Sequence, residues 1–144
     1  VLISPMLAAC IATASQRAAR DGPLGCRCAD GWRAYLPEPA AAAHPYAAPG
    51  AAVRLAGLPP SLLLTSHDDP QRDETLAYAR RLEAAGVPAQ ALQLPACTGW
   101  PASVTDPMAC TAAPWAQPVH EALHRFLGQV APTAAAPPSE PPAS

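Results

Sequence analysis

Val1-Leu2-Ile3-Ser4-Pro5 is a short apolar run closed by a proline, the pattern of a buried parallel strand. Residues 8–50 are rich in Ala, Pro and Gly and show no sustained period, apart from a short helix predicted around Trp32–Leu36. Gly57-Leu58-Pro59-Pro60 breaks the chain, and Ser61-Leu62-Leu63-Leu64-Thr65 follows as a second buried strand. The clearest helix runs from about Pro70 to Ala85. Leu76, Ala79, Leu82 and Ala85 recur at three-residue steps and Tyr78 widens the stripe. Asp69-Pro70 supplies a cap and a first-position proline, and Gly86 stands where a C-terminal cap belongs. Gln90-Ala91-Leu92-Gln93-Leu94 alternates as a third strand does. After a loop of about 20 residues, Trp115, Val119, Leu123, Phe126, Leu127 and Val130 mark a last amphipathic helix.

Strand, helix, strand, helix in this order predicts an α/β fold with a short parallel sheet of about three strands and flanking helices. Parallel sheets place their chemistry beyond the C-terminal ends of the strands. The loops that matter are therefore 66–69 and 95–101. Residues 131–144 hold only Ala, Pro, Thr, Ser and one Glu, and read as a disordered tail behind a partial domain over 1–130.

Composition changes this picture little. Of 144 residues 35 are alanine, so the 50% apolar content overstates the bulk available for a core. All nine basic residues are arginine, and the net charge of −2 without a basic run argues against a nucleic-acid surface. No stretch approaches the ~20 apolar residues of a transmembrane helix. The five cysteines, Cys10, Cys26, Cys28, Cys97 and Cys110, are odd in number and irregularly spaced, unlike a disulfide framework. Cys26-Arg-Cys28 is too closely spaced for a zinc knuckle and has no second pair. Leu7-Ala8-Ala9-Cys10 has the form of a lipoprotein box but lacks a basic leader, so a cytoplasmic location is expected.

Several segments in order resemble the C-terminal portion of the hormone-sensitive-lipase-like α/β-hydrolases, mainly bacterial esterases and lipases. They are Val1–Leu7, Gly31-Trp32-Arg33-Ala34-Tyr35-Leu36, Pro45-Tyr46-Ala47-Ala48-Pro49, Leu55–Pro60 and, most specifically, Asp69-Pro70-Gln71-Arg72-Asp73-Glu74. Ala77–Leu82 and Ala85-Gly86-Val87-Pro88 continue the match. The family usually has Leu where Gln71 stands. The resemblance implies carboxylic ester hydrolysis through an acyl-enzyme, with a serine, an aspartate and a histidine in that chain order and no cofactor. It places the acid at Asp69, with Asp68 as the neighbouring candidate.

No serine of this chain lies in a G-x-S-x-G, and the family's nucleophile precedes the strand with which the chain starts. The family's histidine slot aligns with Thr98 of Thr98-Gly99-Trp100. A threonine hydroxyl has no basic site near neutral pH. The resemblance thus implies a family member that is inactive on its own, or a non-catalytic relic with an interaction role. A short parallel sheet with an exposed edge is expected to be marginally stable. His67 in the 66–69 loop and Cys97 beside the vacant slot are alternative reactive groups, with an exposed histidine and an inert thiol as the simpler readings.

His120-Glu121-Ala122-Leu123-His124 matches H-E-x-x-H, in which histidines four apart on one helix face can hold zinc. A third ligand is missing, because the only later acid is Glu140 in the tail. The solvated face of an amphipathic helix is the simpler reading, and no metal site is assigned.

Overall fold

The computed structural model describes residues 1–10, 12–19, 23–36, 38–95, 99 and 113–131. Its elements are β1 (Leu2–Ile3), α1 (Ala14–Ala19), α2 (Pro23–Tyr35), 3-10 turns at Pro39–Ala43 and Pro49–Ala51, β2 (Ser61–Ser66), α3 (Arg72–Ala84), β3 (Ala89–Leu94) and α4 (Ala116–Val130). The strands form one parallel sheet in the order β1-β2-β3. Leu63 pairs with Leu2 on one side and Ala91 on the other, so β2 is the central strand.

Successive side chains of a strand point to opposite faces, and β2 spends one leucine or two on each. Leu63 packs with Tyr78, Ala79 and Leu82 of α3, together with Leu7, Leu55 and Val87. Leu62 and Leu64 pack on the other face with Leu94, Trp115, Val119 and Phe126. An uninterrupted leucine run is what a strand buried on both faces requires. Leu64 is fully buried. Leu64→Ala is expected to cost about 2–5 kcal/mol in urea unfolding, where Leu127→Ala on the exposed side of α4 costs little. Equal midpoint shifts for the two would contradict this packing.

The end of α3 follows from Gly86, whose φ of 77° suits a residue without a Cβ. The Gly86 amide donates to the Glu83 carbonyl and the Val87 amide to the Leu82 carbonyl, and Val87 and Leu82 share one apolar cluster. This is a Schellman motif with its hydrophobic contact. The start differs from the sequence expectation. Helical geometry begins at Arg72, because Pro70 and Gln71 form a turn whose amide at Gln71 is taken by Asp69. The buried face of α3 is Glu74, Thr75, Tyr78, Ala79 and Leu82, and Leu76 lies at its margin.

The segment without visible periodicity contains two helices. Thr13 and Gln16 form a capping box at the start of α1: the Gln16 amide donates to Thr13 Oγ1, and the Thr13 amide donates to Gln16 Oε1. Six residues cannot hold a helix alone. Here α1 is tied to α3 by the Ser15 amide on Asp73 Oδ2, the Ser15 hydroxyl on the Pro70 carbonyl and the Asp73 amide on Ser15 Oγ. Further on, the Gly50 amide donates to the Leu7 carbonyl at 2.8 Å, and a Cβ at Gly50 would meet that same oxygen. The excursion from β1 is thereby returned to the sheet. β1 leaves Ile3 45% exposed at one edge. The 131–144 tail lies outside the described residues, except Ala131.

Candidate active site

β2 ends at Ser66, and the chain turns through His67, Asp68 and Asp69 before α3. The two aspartates differ sharply. Asp68 is exposed and its Oδ1 accepts the Ser66 hydroxyl at 2.7 Å. Asp69 is 1% exposed. Its Oδ2 accepts the Ser4 hydroxyl at 2.6 Å and the Thr65 hydroxyl at 2.7 Å, while Oδ1 accepts the Gln71 amide at 2.9 Å. The carboxylate is therefore gripped by the strand that carries it, by the residue following β1 and by the turn into α3. Charge-assisted bonds of this kind orient a buried carboxylate firmly. Ser4 itself has a φ of 43°, so backbone strain accompanies the hydroxyl that reaches Asp69. A carboxylate offers about four lone-pair sites. Among the described residues three are filled, and the fourth, on Oδ1, can receive one further donor.

Sequence reasoning missed Ser4 and Thr65. The signal for Thr65 was its position four residues before Asp69 on a strand ending at the loop; nothing local marked Ser4, which comes from 65 residues away. A depression of about 430 Å³ beside Asp69 is bordered by Ser15, His67, Asp68 and Arg72. His67 lies in it with an exposed side chain, and its main chain is engaged: its amide donates to the Leu94 carbonyl and its carbonyl accepts from Arg72. No hydrogen bond joins its imidazole to Asp69 among the described residues. Cys97 and Thr98 lie outside the described residues.

The network behind Asp69 is unusual for being polar and buried. Gln16 Nε2 donates to Glu74 Oε2 at 2.7 Å and to Gln71 Oε1 at 3.1 Å, and Gln71 Nε2 donates to Cys28 Sγ at 3.3 Å. Burial raises the Glu74 carboxyl from 4.5 to about 7, opposed by the amides of Leu7 and Ala8 and by Gln16. Asp73 moves the other way, lowered chiefly by the Ser15 amide and then, against some burial, by Arg72. For Glu74 the native state holds more protons than the unfolded chain between those two values, so stability falls as pH rises through that window. Thermal melts are expected to show a melting temperature declining from about pH 5 to about pH 7, with the decline flattened in Glu74→Gln. An unchanged slope in that variant would assign the effect elsewhere.

On α4, His120 and His124 are both exposed, with ring centroids 6.2 Å apart. Glu121 accepts from Gln117 one turn earlier. The motif thus occupies the outer face of the helix, opposite Val119 and Phe126. Among the described residues no three His, Cys, Asp or Glu side chains are grouped to hold a metal ion. Cys10 and Cys28 are free thiols; the side chain of Cys26 and all of Cys110 lie outside the described residues.

A three-stranded parallel sheet with flanking helices fits part of an α/β-hydrolase fold, and Asp69 lies just beyond the end of its central strand. The sequence profile of the alpha/beta hydrolase fold matches residues 1–101, and the chain belongs to that family, in its hormone-sensitive-lipase-like branch. Among solved structures, the thermostable carboxylesterase EstE1 from a metagenomic library superposes with a TM-score of 0.72 at 26% identity, over 91% of this chain and 45% of its own. A thermostable esterase from Pseudomonas putida does so with 0.67 at 29%, over 85% and 39%. A hyperthermophilic esterase from the archaeon Pyrobaculum calidifontis gives 0.57 at 34%, over 65% and 32%. The chain therefore spans less than half the length of these relatives. No curated protein matches it. No helix among the described residues is long and apolar enough to cross a membrane.

Proposed function

We infer that this chain carries the acid-bearing part of a serine-type carboxylic ester hydrolase, acting on small-molecule esters, with Asp69 as the triad acid. The observation that carries this reading is the Asp69 carboxylate, buried and held by Ser4, Thr65 and the Gln71 amide, with one acceptor site left on Oδ1 among the described residues. A triad acid needs those properties. It accepts the imidazole N–H of the general base, fixes its tautomer and stabilises the imidazolium formed when the base takes the serine proton. Asp68 is exposed, and its Oδ1 accepts the hydroxyl of Ser66 two residues away.

The same reading makes the chain as it stands inactive. It contains no G-x-S-x-G, and Thr98 occupies the position where the family has its histidine. Without a base the acid has nothing to orient. A non-catalytic member of a hydrolase family is the second reading, favoured by Thr98 alone. Purified chain mixed with p-nitrophenyl butyrate is expected to show no turnover above the buffer rate. Turnover that disappears in Asp69→Asn would overthrow the assignment of inactivity.

A further inference from the structure

Directly behind the Asp69 turn, a second cavity of about 260 Å³ opens between α1, α2 and the Pro70–Gln71 turn. That volume is small for a ligand site and suits a compact molecule. Ala8, Ala9, Ala29 and Trp32 give it apolar walls, and Gln16, Gln71 and the thiols of Cys10 and Cys28 interrupt them. Gln71 is 6% exposed and Gln16 9%. Two amides so deeply buried have a defined orientation only if their partners dictate it.

They do. Gln16 Oε1 accepts the backbone amides of Ala12 and Thr13, and Gln16 Nε2 faces the Glu74 carboxylate. Turning this amide over would set its nitrogen against two backbone N–H donors, whether Glu74 is ionised or protonated. Gln16 is therefore locked, with its second N–H on Gln71 Oε1. This in turn locks Gln71, whose carbonyl faces Gln16 and whose NH2 faces Cys28 and the cavity. Cys28 Sγ takes one N–H at 3.3 Å, and sulfur is a weak acceptor. The second N–H has no acceptor among the described residues. At the rim, Arg33 is already paired with Asp30.

We propose that this cavity binds a compact acyl group bearing an extra neutral acceptor oxygen, an oxo or hydroxyl substituent, and that Gln71 is the specificity-determining residue that donates to it. A relay from Glu74 through Gln16 aims the donor before any ligand arrives, so the donor is not reoriented on binding. An unsubstituted acyl chain of equal shape leaves the buried N–H unpaired, which disfavours it. The neutral character follows from Arg33, the cation at the rim, being already paired with Asp30. That the ligand is an acyl group rests on the ester reading above; the cavity and its oriented donor do not.

The test is a binding titration of the whole chain, which needs no turnover. Methyl 3-oxobutanoate and its carbon isostere, methyl 3-methylbut-3-enoate, are titrated while the Gln71 side-chain NH2 signals are followed by NMR. The oxo ester is expected to bind about tenfold more tightly and to shift those signals. In Gln71→Leu the preference is expected to vanish or reverse, and in Cys28→Ala to persist. Equal affinities in the unaltered chain, a preference surviving in Gln71→Leu, or no binding of either ester overturns the proposal. An active composite enzyme with such a result would leave the ester hydrolase reading standing and remove only this specificity.

Discussion

Thr98→His is expected to raise kcat by about 10⁶-fold in a composite hydrolase made by joining the N-terminal portion of the Pseudomonas putida esterase to this chain at Val1. The size follows from what a missing base costs. A serine hydroxyl must lose its proton as it attacks, and no other group described near Asp69 can take it: the His67 imidazole is exposed and makes no bond to the acid. Members of a triad act as a unit, so restoring the absent one recovers nearly the whole effect. Hydrolysis of p-nitrophenyl butyrate, compared at equal melting temperature for the two composites, checks it. A gain below about a hundredfold would mean that position 98 is not the base position.

Asp69→Asn in the Thr98→His composite is expected to lower kcat by about 10⁴-fold, whereas Asp68→Asn changes it by less than about threefold. An asparagine keeps the shape, and its oxygen can still accept one of the three bonds now held by the carboxylate. Its NH2 can donate to the Ser4 or Thr65 hydroxyl, each of which can accept as well as donate. The loss therefore falls on the histidine, which is left without the charge that stabilises its imidazolium and in the wrong tautomer. Because the substitution leaves packing largely intact, kcat should fall with little change in KM.

How much of this was legible in the sequence depended on whether the deciding partner was local. The three leucines of β2 announced a strand buried on both faces, and both faces are indeed filled, by α3 and α4. Gly86 announced the end of α3 because a positive φ there is a local demand. The start of α3 was misplaced by two residues because Asp69 serves the Gln71 amide in a turn rather than capping the helix, and its other oxygen serves distant hydroxyls. A periodicity search finds nothing in α1, because six residues give less than two turns and its stability comes from α3. Its capping box, Thr13-x-x-Gln16, was nonetheless written in the sequence. The last helix was drawn too wide. Leu127 and Val130 continue the apolar run, yet only Trp115, Val119 and Phe126 reach the core deeply. The relay of Glu74, Gln16 and Gln71 joins positions 55 and 58 residues apart, and no spacing rule could have shown it.

Glu74 changes protonation near pH 7, within the range in which an active-site histidine also titrates. Rates measured in the composite should therefore be compared with Glu74→Gln before any inflection is assigned to the base.

On the proposed function, Asp69 acts only through a histidine, and Thr98 stands at the position the resemblance gives to it. A double-mutant cycle in the composite, with Asp69→Asn and Thr98→His singly and together, measures that dependence directly. Asp69→Asn is expected to alter kcat less than about tenfold while Thr98 is in place and about 10⁴-fold once histidine replaces it. An equal effect of Asp69→Asn in both backgrounds, large or small, would contradict it.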